Sequence, residues 1–325
     1  MKKYLKRVAA LLIVSAMSVE LCACGVSAPA ESADNAENGA QSGEFISFTD
    51  DLGREVSLTR PARVAAMIGS FADIWCLAGG RDSLVAAASD TWTSFDLGLD
   101  EAVVNIGGVK TPSLELLLAS KPELILASCN TTANLEMREI WDNAGLQYVF
   151  FDIQNIDDYL NMLSVCARLT GQEERYDEYG AAVKARAEAA IARQDGTAPT
   201  VLCMRATGSS CKVKSSADNL LGEMLLDLGC VNVADSDTSL LEELSLEAIM
   251  EADPEHIFVV LQGADPTRAT ETLEQTLLSN PAWQQLTAVK EGRFYTLEHE
   301  LYNLKPNARW GEAYEKLADI LYAKK

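Results

Sequence analysis

Apolar positions along the chain change their spacing several times, and each change marks an element. Ile46 and Phe48 alternate with polar neighbours, Asp50-Asp51-Leu52-Gly53 reads as a turn, and Val56 and Leu58 resume the alternation, which predicts a β-hairpin. From Arg63, short apolar runs alternate with stretches whose apolar residues recur every three or four positions. Strands are expected at Val64 to Ile68, Leu84 to Ala88, Leu124 to Ala127 and Tyr148 to Phe151. Helices are expected from Ser70 to Gly79-Gly80, after Pro112, and from Ala133 to Gly145. A second series follows Pro199, with strands at Val201 to Arg205, Ile257 to Leu261 and Phe294 to Leu297. Such alternation implies parallel sheets covered by helices. Between the series, Ile156 to Arg193 carries no strand signal, breaks near Gly171, and becomes rich in Ala, Glu, Lys and Arg, so it reads as a helical bridge. The expected fold is α/β, two Rossmann-like βαβ lobes joined by a long helical bridge with a ligand cleft between them.

A repeat supports two lobes of similar construction. Ser113-Leu114-Glu115 is followed by Pro122-Glu123 and Ile125, and Ser245-Leu246-Glu247 is followed at the same spacing by Pro254-Glu255 and Ile257. Chance is the competing explanation, because serine caps and proline breakers are generic.

Length agrees with this division, since 325 residues suffice for two cores. The first residues change the picture. Lys2, Lys3, Lys6 and Arg7 precede an apolar run from Val8 to Val19 that is short for a bilayer span, and Leu21-Cys22-Ala23-Cys24 resembles a bacterial lipobox. Residues 1–23 are therefore expected to be a signal peptide and Cys24 the lipidated residue; an ordinary signal peptide cut near Ala23 is the alternative. Residues 24–44, poor in apolar side chains, are expected to be a disordered tether. The N-terminal lobe then spans 45–155, the helical region 156–194 and the C-terminal lobe 195–325.

The net charge of −21 becomes more negative once the basic leader is removed, which argues against nucleic acid and against a basic membrane patch. The lipid anchor is left as the means of membrane attachment. Six further cysteines, Cys76, Cys129, Cys166, Cys203, Cys211 and Cys230, show no CxxC or other metal spacing and read as buried small hydrophobes. Cys203 with Cys211 is the first pairing to test, as both fall near one strand end.

Phe48-Thr-Asp-Asp-Leu-Gly53-Arg54-Glu55-Val56, the Arg63-Val64 strand leading to Gly69-Ser70, both Ser-Leu-Glu…Pro-Glu units, and Asn280-Pro281-x-Trp283-x-x-Leu286-x-Ala288-Val289-Lys290-x-Gly292 carry a resemblance. In their order over Phe45 to Leu321 they resemble the iron-chelate and cobalamin class of ABC-transporter solute-binding proteins. That resemblance implies two lobes joined by one long helix, modest closure on a metal chelate (ferric siderophore, haem or corrinoid), and delivery to an ABC permease with its ATPase. It also implies that an acid on each lobe, here Glu115 and Glu247, contacts permease arginines; as first-turn carboxylates both also suit the helix dipole. A monomer without a cofactor is expected.

Ligands of doubly wound lobes meet the loops after strand carboxyl ends. The candidates are Ser70, Phe71, Trp92, Thr93 and Asn130 on the first lobe, and Arg205, Lys212, Lys214, Gln262, Tyr302, Lys305 and Arg309 on the second. Phe71 and Trp92 are equally readable as core aromatics. The cations suit an anionic chelate. His299 is a weaker candidate, as an axial metal ligand. Bare-metal capture fits poorly with two histidines in the chain. A secreted enzyme remains the rival from another class, although no GxSxG, HExxH, P-loop or strand-linked GxGxxG is present.

Overall fold

The computed structural model describes residues 44–322 except 218, 237, 238, 243, 264 and 265. The leader, Cys24 and almost all of the expected tether lie outside these residues. Strands Ile46–Thr49 and Glu55–Leu58 pair antiparallel as the expected hairpin, with Asp50 holding its turn. The Asp50 carboxylate accepts from the backbone N–H of Leu52 and Arg54 and pairs with the Arg54 guanidinium at 2.6 Å.

The first βαβ series builds a five-stranded parallel sheet in the order Val104–Asn105, Leu84–Ala87, Val64–Ala66, Leu124–Ser128, Gln147–Phe151. The second builds a sheet in the order Cys211–Lys214, Thr200–Ala206, His256–Leu261, Phe294–Leu297, with Val231–Asn232 also pairing to Thr200–Ala206. Strand Cys211–Lys214 is antiparallel to its neighbour, the rest of that sheet being parallel.

Side-chain alternation explains why both sheets are buried on two faces. Val64, Ala66, Leu124, Leu126, Val149 and Phe151 face one core; Ala65, Met67, Ile125, Ala127, Tyr148 and Phe150 face another with Leu117 and Trp141. In the second sheet, Val201, Cys203, Phe258 and Val260 join that first core, while Leu202, Met204, Ile257 and Val259 face a separate core around Trp283. One core thus runs from sheet to sheet.

Helices fill the space between. Helix Ile156–Thr170 begins at Asn155, which forms a reciprocal capping box with Asp158, and ends at Gly171 in the left-handed conformation. Helix Ala182–Ile191, preceded by a π turn at Asp177–Ala181, packs against the last helix, Trp310–Leu321. Arg186 pairs with Glu315 at 2.5 Å and Arg193 with Asp319 at 2.7 Å along that contact. The helical region is therefore divided at Gly171, where its sequence breaks, into Ile156–Thr170 and the stretch that ends in Ala182–Ile191.

The repeat is structural. Ser113 and Ser245 each cap their helix, accepting from Leu116 N at 3.3 Å and Ala248 N at 3.2 Å. Lys121 and Asp253, at matching positions, both have positive φ. After each proline the glutamate reaches the backbone at or just before a central strand of its own sheet: Glu123 accepts from Ala62 N, ahead of Val64–Ala66, at 2.7 Å, and Glu255 from Thr200 N, at the start of Thr200–Ala206, at 2.8 Å.

Candidate functional site

In the first sheet the chain passes outward from Val64–Ala66 to Leu84–Ala87 and Val104–Asn105, then returns to the other side at Leu124–Ser128. Neighbouring loops that leave a sheet toward opposite faces open a crevice at the strand carboxyl ends. At that switch point, Ile68, Ser70 and Phe71 follow one strand, and Ser128, Asn130 and Thr131 end or follow the other. Asp90 and Ile153 arrive from the ends of the adjacent strands. Gln262, after strand His256–Leu261, and Asn303 to Lys305, after Phe294–Leu297, bound the space from the second sheet. Together they line an open cavity of about 380 Å3. A second cavity of about 630 Å3 shares Leu304 and is lined by Thr93 and Ser94 from the first half and by Leu261, Gly263 and Leu297 to Glu300 from the other. A third, of about 740 Å3, lies beside Arg63, Arg81, Leu84 and Val104, at the amino ends of the strands and away from the crevice.

Hydrogen bonds join the two halves across the smaller cavity. Ser70 Oγ donates to the Lys305 carbonyl at 2.7 Å, and Lys305 Nζ donates to Gln154 Oε1 at 2.7 Å. Gln154 Nε2 in turn donates to Asp152 Oδ1 at 2.6 Å, which also accepts from Asn130 Nδ2 at 2.8 Å. Asp90 Oδ2 accepts from the Gly69 N–H at 2.9 Å, so a carboxylate from the next loop satisfies the first turn of helix Gly69–Leu77, which has no side-chain cap of its own. A side chain at Gly69 would strike the Thr91 backbone at 2.6 Å, which accounts for glycine there.

Burial governs the charges here. It pushes the Lys305 ammonium and the Arg205 guanidinium below their ordinary ranges. Lys305 is repelled by Arg205, while Glu223, Asp152 and Asp158 act in the opposite direction. Arg205 reaches Asn219 Oδ1 at 3.2 Å, and its Nε is buried without a partner. Burial lowers His299 at the wall of the 630 Å3 cavity, with Glu300 working against it and the Arg205 charge adding a smaller lowering. Burial likewise raises Asp90, against its bond from Gly69.

Of the residues expected at the cleft, Ser70, Phe71, Asn130, Gln262 and Lys305 meet at the smaller cavity, and Thr93 and His299 line the larger one. Phe71 is also core, edge-on to Phe151 at 5.9 Å. Trp92 is 42% exposed and lines neither cavity. Tyr302 is only 2% exposed and donates to the Ala313 carbonyl, so it is a core residue and not a ligand contact. Arg309 is held bidentate by Glu312 at 2.8 Å on an exposed helix start and lines neither cavity. Lys212 and Lys214 sit on strand Cys211–Lys214, not in a loop; the alternation Cys-Lys-Val-Lys was the signal for it. Glu115 and Glu247 are both exposed in the first turns of their helices. Asp90, Thr131, Gln154 and Asn303 were not foreseen. Three of them lie immediately after a strand, and following every strand end, not a chosen few, would have found Asp90, Thr131 and Gln154.

Among the described residues no three His, Cys, Asp or Glu side chains are grouped to hold a metal ion, and no helix is long and apolar enough to cross a membrane.

Comparison with known proteins places this geometry. A family model described as periplasmic binding protein matches residues 64–301. The Fe(3+)-citrate-binding protein YfmC of Bacillus subtilis (strain 168) is 23% identical over 300 residues, covering 89% of this chain and 90% of the relative. The apo structure of the periplasmic heme-binding protein RhuT from Roseiflexus sp. RS-1 superposes with a TM-score of 0.64 at 22% identity, over 80% of this chain and 97% of that one. Staphylococcus aureus SirA complexed with staphyloferrin B gives 0.62 at 20% identity, over 85% and 97% of the two chains.

Proposed function

This chain belongs to the periplasmic binding protein family, and from that premise we propose that it is the extracytoplasmic solute-binding component of an ABC importer that captures a metal chelate. The observation that carries the reading is the cavity of about 380 Å3 lined jointly by the carboxyl ends of both sheets, within the size range of small-molecule sites. Names of the relatives, an Fe(3+)-citrate binder and haem- and staphyloferrin-bound or -binding proteins, favour iron chelates. Capture without turnover is the expected activity. The test is a melting-temperature titration of the full-length chain, purified in detergent, with ferric citrate, ferrioxamine B, haemin and cyanocobalamin. A saturable rise with one of them, about 2.7 kcal/mol at a hundredfold excess over Kd, with the chelate recovered unchanged, supports capture. Four flat titrations would reject it.

Two further parts of the reading concern placement. Cys24 is the acylated residue that tethers the protein to the outer face of the membrane. Metabolic labelling with palmitate should be lost in Cys24→Ala, and persistent labelling would refute the assignment. Glu115 and Glu247, exposed and repeated at equivalent helix starts, dock the permease, since exposed rim charges orient an encounter. Their joint replacement by alanine should leave chelate affinity intact and reduce cellular uptake; unchanged uptake would exclude that role.

A further inference from the structure

The chain carries a net charge of −21, yet two of its cations near the cleft have no acid bound to them. Other cations either find carboxylates, as Arg186 does with Glu315 and Arg193 with Asp319, or, like Arg63, Arg81 and Arg168, bond backbone carbonyls outside the cleft. Arg205 and Lys305 form no ion pair among the described residues; each is bonded to a neutral side-chain amide oxygen, of Asn219 and Gln154. An ammonium has three donors, and this one uses a single donor at the wall of the smaller cavity. Glu223, Asp152 and Asp158 favour the charged ammonium from a distance, yet Lys305 forms an ion pair with none of them, and a half-buried charge without a bonded counter-ion is costly in a folded protein. A site that must receive an anion is one reason to retain it.

The ammonium is also held in place. Asn130 and Gln154 both donate to Asp152, and this fixes the amide of Gln154 so that its oxygen faces Lys305. The relay keeps the acid one residue away from the cation: Asp152 binds the amides, and Gln154 offers the ammonium a neutral acceptor. Substituting a carboxylate for that acceptor would neutralise the cation, although it would also lose the amide's bond to Asp152. Apart from Ile68, Phe71, Ile153 and Leu304, the residues around this cavity are polar or charged, and Phe71 is almost wholly taken up in the core. The lining is thus mixed, and the cavity's volume of about 380 Å3 suits a small chelate better than a porphyrin.

From these placements we propose that Lys305 is the specificity-determining residue of the cleft, that it binds a free carboxylate of a small hydroxycarboxylate-type ferric chelate, and that Gln154 is the residue that positions its ammonium. The inference rests on the capture reading above and narrows it to one charge class. A charge-assisted hydrogen bond of this kind is worth roughly ten- to a hundredfold in affinity.

The experiment is a set of binding titrations on the full-length chain in detergent, with ferric citrate, ferrioxamine B, haemin and cyanocobalamin, for wild type, Lys305→Met, Lys305→Arg, Gln154→Glu and Gln154→Leu. Ferric citrate should bind most tightly. Its affinity should fall about tenfold or more in Lys305→Met and in Gln154→Glu, and stay within a few-fold of wild type in Lys305→Arg. Glutamate and leucine both lose the bond to Asp152, so a merely structural Gln154 would suffer alike from either, whereas the charge reading requires glutamate to weaken ferric citrate more than leucine does. Melting temperatures of the variants separate loss of fold from loss of binding. Should Lys305→Met unfold, the comparison of Gln154→Glu with Gln154→Leu decides, because both lose the bond to Asp152 and only glutamate adds a negative charge beside Lys305. Tighter binding of ferrioxamine B, haemin or cyanocobalamin, or ferric citrate binding indifferent to Gln154→Glu, overturns the proposal while leaving chelate capture standing. No binding of any of the four overturns capture and this inference with it.

Discussion

Asp73 shows how a single carboxyl can set the acid–base behaviour of the fold. It lies on helix Gly69–Leu77, and burial raises its pKa to about 6, with the Arg81 charge the one influence working against that rise. A folded pKa above the unfolded value of 3.8 means that the native state binds the proton more tightly. Its contribution is therefore complete below pH 3.8 and is lost as pH rises through 6. At neutral pH the ionised form costs about 3 kcal/mol. Asp73→Asn is expected to melt several degrees above wild type at pH 7.5 and to converge with it near pH 4, read from melting temperature against pH. A constant offset across that range would show that the gain is not the removal of buried charge. At this same scale the sequence was least legible at the cleft. Ser70, Asn130, Gln262 and Lys305 could be found because they follow strand ends, but nothing in residue type separates Tyr302 and Arg309, one sealed in the core and one tied to Glu312, from a ligand contact. Their roles depend on the direction of the last two helices, which is a tertiary property.

Elements were more legible than residues because their signal is summed over several positions. The three strands of the second series and the Ser-Leu-Glu…Pro-Glu units emerged with their expected spacing, and the matching Lys121 and Asp253 backbones and Glu123 and Glu255 bonds explain why the spacing is kept. Short strands escaped. Val104–Asn105 and Val231–Asn232 are two residues long, too few for a period to register, and Cys211–Lys214 was hidden in a polar run. That omission also bears on Cys203 and Cys211. In the antiparallel register Cys203 is opposite Lys214, and Cys211 is opposite Ala206. Cys203 faces the core shared by both sheets, and Cys211 the core around Trp283. Two thiols on opposite faces of a sheet cannot be bridged, and all six described cysteines are free. Burial raises the thiols of Cys76 and Cys129 to about 11, which keeps them unreactive at neutral pH. Reductant should therefore leave the melting temperature unchanged, and all six thiols should react with a thiol reagent only after denaturation. A drop on reduction would mean that a bridge had formed.

Across the whole of the described chain, the central core decides how the halves can behave. Because Val64, Leu126 and Phe151 of one sheet and Val201, Phe258 and Val260 of the other belong to one buried cluster with helices Ile156–Thr170, Ala182–Ile191 and Trp310–Leu321, neither half can lose its packing alone. Tyr159 and Trp310, edge-on at 5.8 Å, lie within that cluster and tie the bridge to the last helix. Two lobes linked by extended crossovers could instead melt separately. Urea unfolding followed by tryptophan fluorescence and by far-ultraviolet circular dichroism is expected to give coincident single transitions. Trp75 and Trp141 report on the first half and Trp283 on the second, so single-tryptophan variants can be compared directly. Separated midpoints would show that the shared core is not what couples the halves. A coupled core also limits closure, because moving one sheet against the other repacks helices whose interior density resists small displacements. A bound chelate should accordingly raise the midpoint of the whole transition, with both reporters shifting together.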